Sequence, residues 1–310
     1  MVPQAYLHGF AREKVLAVHR RGKTEPEYAT VRRAAFETDF YGYTIDGELD
    51  VSMETWLGDH VDGPSSGPLG RLRDGTWPPS ADDRSALALM LAFQLVRTTR
   101  VRAVMERFDE IVAPLMWAIT VDAPPETMPA EVLTERDPRS FLRTMQREAD
   151  RHALVIADRA WSLLTSKAPA LLTSDNPVAL FFPLGDPAGF AGIAPPEAQL
   201  LFPVDPCRLL VVEPVGSEPG DCAGTLTAEY VSIANTAQVR AAHRCVFRHP
   251  DMPWPADIVL PATTEILPTP TVRISRSTDG TSTFPTRHPT PHDERIAAVL
   301  RELDADDIVE

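Results

Sequence analysis

The stretch from Ser80 to Arg102 constrains this chain more than any other. Between Ala86 and Val96 every residue except Gln94 is apolar. A helix that is apolar all round lies inside a protein rather than on its surface. Ser80 with Asp83 fits a capping box, in which the hydroxyl takes an early backbone N–H and the carboxylate reaches back. The helix predicted from this signal carries Gln94, Arg97 and Arg100 at i, i+3 and i+6, a slanted polar stripe on an apolar rod. Arginine cannot be neutralised, so a buried guanidinium must find acceptors. The acceptors these side chains meet decide what the centre of the molecule is.

The flanking sequence supplies the layers around this helix. Residues 14–20 and 30–36 read as strands, and 52–61 as a short amphipathic helix with Met53, Trp56 and Leu57 inward. Residues 63–79, rich in Gly, Pro and Ser, read as a loop. Pro138 behind Asp137 opens a further helix to about Thr165, with Phe141, Met145, Ala149, His152 and Ile156 on one face. Then the pattern changes. Residues 170–182 read as strand, sharp polar turn, strand, and 199–204 and 208–213 as strands joined by Asp205-Pro206. Residues 225–244 read as a helix with Val231, Ala234 and Ala237 inward, and 245–248 as a short strand. This order gives an α+β fold class: central buried helices packed on a mostly antiparallel sheet, with a C-terminal appendage. Residues 1–262 are expected to form a single domain. Residues 263–310 are expected to form a Pro/Thr-rich connector and a short acidic C-terminal helix.

The sharpest local signal is Thr173-Ser-Asp-Asn-Pro177. Pro177 forces Asn176 into an extended backbone, and Ser174, Asp175 and Asn176 can all hydrogen-bond back to the chain. One reading is a well-made turn between two strands. The other sets a carboxylate and an amide at a strand end, with Asp175 as base, metal ligand or partner of Arg97. Arg97 and Arg100 pose the same choice. They form a structural ion pair with Glu54 or Asp175, or a two-pronged clamp for a carboxylate or phosphate. Glu54 reads either as a solvated helix residue or as part of the site. Asn235 sits mid-helix, where asparagine is mildly unfavourable, and is either buried in a role or on the surface.

Other templates fail. The histidines lack the i, i+4 pairing of a helical zinc site, and Cys207, Cys222 and Cys245 lack CxxC spacing. Glycine is too sparse for a dinucleotide fingerprint or a P-loop, and no G-x-S-x-G elbow is present. The formal net charge of −14 disfavours duplex nucleic acid and anionic membranes as partners. No apolar run reaches spanning length, and the odd cysteine count suits a reducing cytoplasm.

Taken together, these pieces resemble a known family. They are Val2-Pro3-Gln4 with Tyr6-Leu7 and Phe10; Phe40-Tyr41; Glu54; Gln94, Arg97 and Arg100; Thr173 to Val178; Phe202-Pro203; and Asn235. In order, they resemble the bacterial domain-of-unknown-function family 4238 over roughly residues 2–250. The resemblance implies that separated polar residues converge in one place. Two departures stand out. The family places a histidine just ahead of Val-Pro-Gln, where this sequence has Met1. The family also carries a second glutamate a turn or two after the first, where this sequence has the shorter Asp59 and Asp62.

Two function classes follow. The first is an enzyme acting on a small anionic substrate. Here Arg97 and Arg100 hold a phosphate or carboxylate, and Glu54 or Asp175 serves as general base or metal ligand. Gln94, Asn176 and Asn235 orient the substrate. No cofactor is fixed by the sequence, and a divalent metal is one version of this site. The second is a non-catalytic module whose buried Arg/Asp/Glu centre is structural, with a protein partner docking through the C-terminal segment.

Overall fold

Buried apolar side chains of the helices and strands gather into one large core cluster and two smaller ones. The computed structural model describes residues 2–35, 43–45, 48–50, 52–98, 101, 139–183, 196–218 and 220–263. In chain order the first elements are α1 (Gln4–Leu7, continued by a 3-10 turn, His8–Phe10), β1 (Val15–Arg20), β2 (Glu27–Thr30), α2 (Val31–Ala35), β3 (Tyr43–Ile45) and β4 (Glu48–Asp50). Next come α3 (Ser52–Leu57), a π-helical turn (Gly58–Asp62), α4 (Gly63–Arg73), α5 (Ala81–Val96) and α6 (Arg139–Asp158). The second half holds β5 (Trp161–Thr165), β6 (Thr173–Ser174), β7 (Ala179–Phe181), β8 (Gln199–Asp205), β9 (Arg208–Val212), β10 (Cys222–Thr225), α7 (Ala228–Ala241) and β11 (Cys245–Arg248). All described residues lie within one compact unit, Met1–Ile266. The expected connector and C-terminal helix lie outside the described residues beyond Thr263.

The fold is α+β, and its sheets are mostly antiparallel. One sheet has the order β2-β1-β11-β6, a second β10-β5-β9-β8-β7, and a small third pairs β3 with β4. In the second sheet only β10 with β5 runs parallel. That sheet is covered on both faces, and its alternation shows it. Leu200, Phe202, Val204, Leu210, Val212, Trp161 and Leu163 join the core that holds α5 and α6. Their neighbours Leu201, Leu209 and Val211 join Ala234 and Ala237 of α7. A strand buried on both faces reads as a continuous apolar run, as β8 does.

α5 begins where the sequence predicted, but only half of its capping box forms. Ser80 Oγ accepts from Asp83 N at 3.2 Å. The Asp83 carboxylate turns instead to Arg71, accepting from Nε at 2.7 Å and Nη2 at 2.5 Å. The helix also ends early, at Val96, and Arg97 leaves the helical path with φ −95° and ψ 28°. Thr98 supplies the reason: its Oγ1 takes the Val101 N–H at 3.2 Å, as an N-cap does, and so competes with helix continuation. Arg97 is therefore a helix-terminal residue rather than part of a continuous stripe. Arg100 lies outside the described residues.

Four more expectations are corrected. Residues 63–73 are helix, not loop, because Ser65, Pro68, Leu69 and Leu72 bury one face, and tertiary packing outweighs weak local propensity. Residues 31–35 are helix after a short strand, with Thr30 Oγ1 accepting from Arg33 N. α6 stops at Asp158, where Arg84 takes the Ala157 carbonyl at 2.7 Å and the Arg159 carbonyl besides, and lies 4.4 Å over the Trp161 ring. The chain then continues as β5. Finally, β6 and β7 do not pair: the polar turn between them carries the chain from one sheet to the other.

Candidate functional site

The residues singled out in the sequence fall into two clusters, not one. The first surrounds a cavity of about 230 Å³, lined by residues 2–5, by Glu54, Leu57 and Asp62, and by Arg97. Arg97 is 2 % exposed. Its Nη2 donates to Asp62 Oδ1 at 2.6 Å. Gln94, its amide oriented by its hydrogen-bond neighbours, accepts from Arg97 Nε at 3.0 Å and from Nη2 as well. Gln94 is itself buried, so the amide fixes the guanidinium from inside the core while the carboxylate fixes it from the cavity wall. Among the described residues the acid paired with Arg97 is thus Asp62, not Glu54 or Asp175 as expected.

Local backbone puts Asp62 there. It is the last residue of the π-helical turn between α3 and α4. A π turn is wider than an α turn and is common at functional sites. At Gly63 an added Cβ would meet the Gly58 carbonyl oxygen at 2.9 Å, so the wide turn closes only on glycine. Of the two aspartates standing where the family resemblance leads one to expect a second glutamate, Asp62 reaches the guanidinium. Asp59, on the same turn, is exposed.

Glu54 lines the same cavity from α3. Its Oε1 is buried and receives no hydrogen bond among the described residues. A buried carboxylate oxygen without a donor is costly, by about 1–3 kcal/mol or more, and so asks for an explanation. The cavity holds two carboxylates against one guanidinium among its described lining residues.

The second cluster is the polar turn and α7. Asp175 Oδ1 accepts from His243 N at 2.8 Å; Oδ2 accepts from Arg244 N at 2.6 Å and from Cys245 N at 3.2 Å. Burial raises the affinity of this carboxylate for a proton, and the three amides oppose the rise. No hydrogen bond or ion pair joins Asp175 to Arg97. Asn235 Oδ1 accepts from Leu172 N at 2.8 Å, and its Nδ2 donates to the Ala170 carbonyl at 2.9 Å. Asn176 Nδ2 donates to the Ala241 carbonyl at 3.4 Å. Gln238, which the sequence reading did not pick out, donates from Nε2 to the Pro177 carbonyl at 2.7 Å and sets its Oε1 2.9 Å from Ser174 Oγ. Most of these polar groups bond to the backbone of the turn, of the segment entering it and of residues 241–245, while Asn176 Oδ1 is buried with no hydrogen-bond partner among the described residues.

The structure therefore brings Glu54 and Arg97 to one cavity, with Gln94 behind the guanidinium, and gathers Asp175, Asn176 and Asn235 elsewhere. Sequence reasoning passed over Asp62 as a shorter substitute, and it gave residues 2–5 no place in the site. The signal that identifies Asp62 is its spacing from Glu54, two turns along a helix broken by Gly58 and Gly63. Among the described residues no group of three or more His, Cys, Asp or Glu side chains is placed to hold a metal ion. No described helix is long and apolar enough to cross a membrane. No curated protein and no solved structure matches the chain. A family model does match, over residues 1–252: the chain belongs to the family described as "Protein of unknown function (DUF4238)".

Proposed function

We propose that this protein is an enzyme acting on a small substrate with an anionic group, bound in the cavity between α1, α3 and the end of α5. Arg97 faces the anionic group. Asp62 and Gln94 hold the guanidinium in one orientation, so little freedom is lost when a ligand binds. Glu54 is the general base, taking a proton from the substrate or from water beside it. Asp175, Asn176 and Asn235 keep their structural bonds and do not enter the chemistry. The observation that carries the reading is the Glu54 Oε1 atom, buried at the cavity that Arg97 lines and met by no donor among the described residues. Three unpaired cysteines, Cys207, Cys222 and Cys245, support a reducing, cytoplasmic setting.

A second reading is favoured by a different observation. Arg97 already has a carboxylate and an amide, as a structural ion pair does. On that reading the centre is scaffold and the protein is an interaction module, with a partner bound through its C-terminal segment. One experiment separates the two. The wild type, Arg97→Lys and Glu54→Gln are melted with inorganic phosphate, small carboxylic acids and divalent metals. The enzyme reading expects an anion to raise the melting temperature of the wild type and not of the folded Arg97→Lys variant. If no anion acts and Arg97→Lys unfolds the protein, the scaffold reading takes its place.

A further inference from the structure

Resting on the cavity as a substrate site, we infer that its ligand is a small zwitterion of the amino-acid type, with its ammonium group meeting Glu54 and its carboxylate meeting Arg97. The inference begins with charge. Asp62 balances Arg97 through the 2.6 Å contact. Glu54 is then the unmatched charge on the described lining, with an oxygen that no described group satisfies. A ligand that is only an anion brings a third negative group to a guanidinium already paired and leaves Glu54 unmet. A ligand that carries a cationic donor beside its anionic group satisfies both. An ammonium offers three N–H donors and a full charge, which a carboxylate with a buried, unmet oxygen rewards more than a neutral hydroxyl.

Size and wall chemistry point the same way. The cavity, about 230 Å³, is somewhat larger than the roughly 150 Å³ that holds a benzene ring. It falls below the roughly 300 Å³ at which pockets for larger organic ligands begin. A nucleotide exceeds it, and a metabolite of about ten heavy atoms fills it. Between the charged groups the wall is mostly apolar, Val2, Pro3, Ala5 and Leu57, with the Gln4 amide as its one neutral polar side chain among the described lining residues. That wall suits a short aliphatic side chain.

The test uses free amino acids as probes. Glycine, L-alanine, L-serine, L-threonine and L-valine are titrated at millimolar concentration by thermal shift and calorimetry into the full chain. Each binder is compared with the acid lacking its amine and the amine lacking its carboxylate; for valine these are 3-methylbutanoate and 2-methylpropan-1-amine. We expect at least one amino acid to bind and both of its truncated analogues to bind at least tenfold more weakly. Glu54→Gln should retain the fold, since Glu54 Oε1 has no partner among the described residues to lose, and should abolish the preference for the amino acid over the amine-free acid. Glu54→Asp, which keeps the charge, should restore part of that preference. If the amine-free acid binds the wild type as tightly as the amino acid does, the inference is overturned while the anion-binding reading survives. If neither class binds, both fall.

Discussion

Replacing Asp175 by asparagine separates a structural carboxylate from a catalytic one. In the folded protein the carboxylate accepts from three backbone amides, those of His243, Arg244 and Cys245. Asparagine has one acceptor oxygen. Turned one way it keeps the Arg244 and Cys245 bonds and sets its own NH2 against the His243 N–H. Turned the other way it keeps only His243 and opposes the remaining two. At least one backbone N–H then loses its acceptor, at about 1–3 kcal/mol, and the bonds that remain lose the charge that strengthens them. The neutral side chain recovers part of this, because burial already pushes the Asp175 carboxylate toward its protonated form. The net expectation is a loss of about 2–4 kcal/mol. Urea unfolding at neutral pH, followed by circular dichroism, measures it. A variant that unfolds with the wild-type midpoint, within about 0.5 kcal/mol, refutes the structural assignment and returns Asp175 to the list of groups with another task.

Two further outcomes are expected. His19 is held neutral, its pKa lowered to about 4 by burial and by Arg248, whose Nε donates to His19 Nε2 at 2.9 Å while Trp254 packs on the ring. Its folded pKa lies below the ordinary 6.5, so its contribution is full above about pH 6.5 and is lost as pH falls toward 4. After discounting for a ring that is only half-buried, the loss is about 1–2 kcal/mol. The fall in urea-unfolding stability from pH 7 to 4.5 should be smaller by about that amount in His19→Asn, and equal falls would remove His19 as the cause. Gly9→Ala should destabilise, by about 1–3 kcal/mol. An added Cβ would lie 2.5 Å from the Arg73 guanidinium, which holds the carbonyls of Ala5, Tyr6 and Val204. A thermal melt unchanged by the alanine would show that Arg73 moves aside without loss.

The helical core was legible because its signal is dense. Eleven positions from Ala86 to Val96 with a lone Gln94 leave little choice, and the cap at Ser80 marks the start. The end was not legible, since a single hydroxyl, on Thr98, decides it. The helix at 63–73 was hidden for the opposite reason: glycine, proline and serine argue for a loop, and only the buried face at Ser65, Pro68, Leu69 and Leu72 overrules them. In the site, residue types identified the polar groups, but partners cannot be read from types. An arginine that needs an acid does not say which acid. The pairing with Asp62 depends on a π turn whose backbone no periodicity reveals.

The two clusters differ in kind, yet one side chain joins them. Tyr6 Oη lies 2.6 Å from Thr173 Oγ1, donates to the Pro203 carbonyl at 2.8 Å, and its ring stacks 4.9 Å from Phe202. Thr173 opens the polar turn; Gln238 of α7 bonds to it through Ser174, Asn235 of α7 holds the segment just before it, and Asp175 ties it to the amides that follow α7. The residues just before Tyr6, 2–5, are the cavity wall that faces Glu54 and Arg97. A buried hydroxyl pair thus links the turn to the segment that carries the wall of the pocket. That division accounts for polar residues so far apart in sequence. Glu54, Asp62 and Arg97 line the cavity, with Gln94 bonded to the guanidinium from the core, whereas Thr173, Asp175, Asn235 and Gln238 bond the turn and its approach to the chain around them.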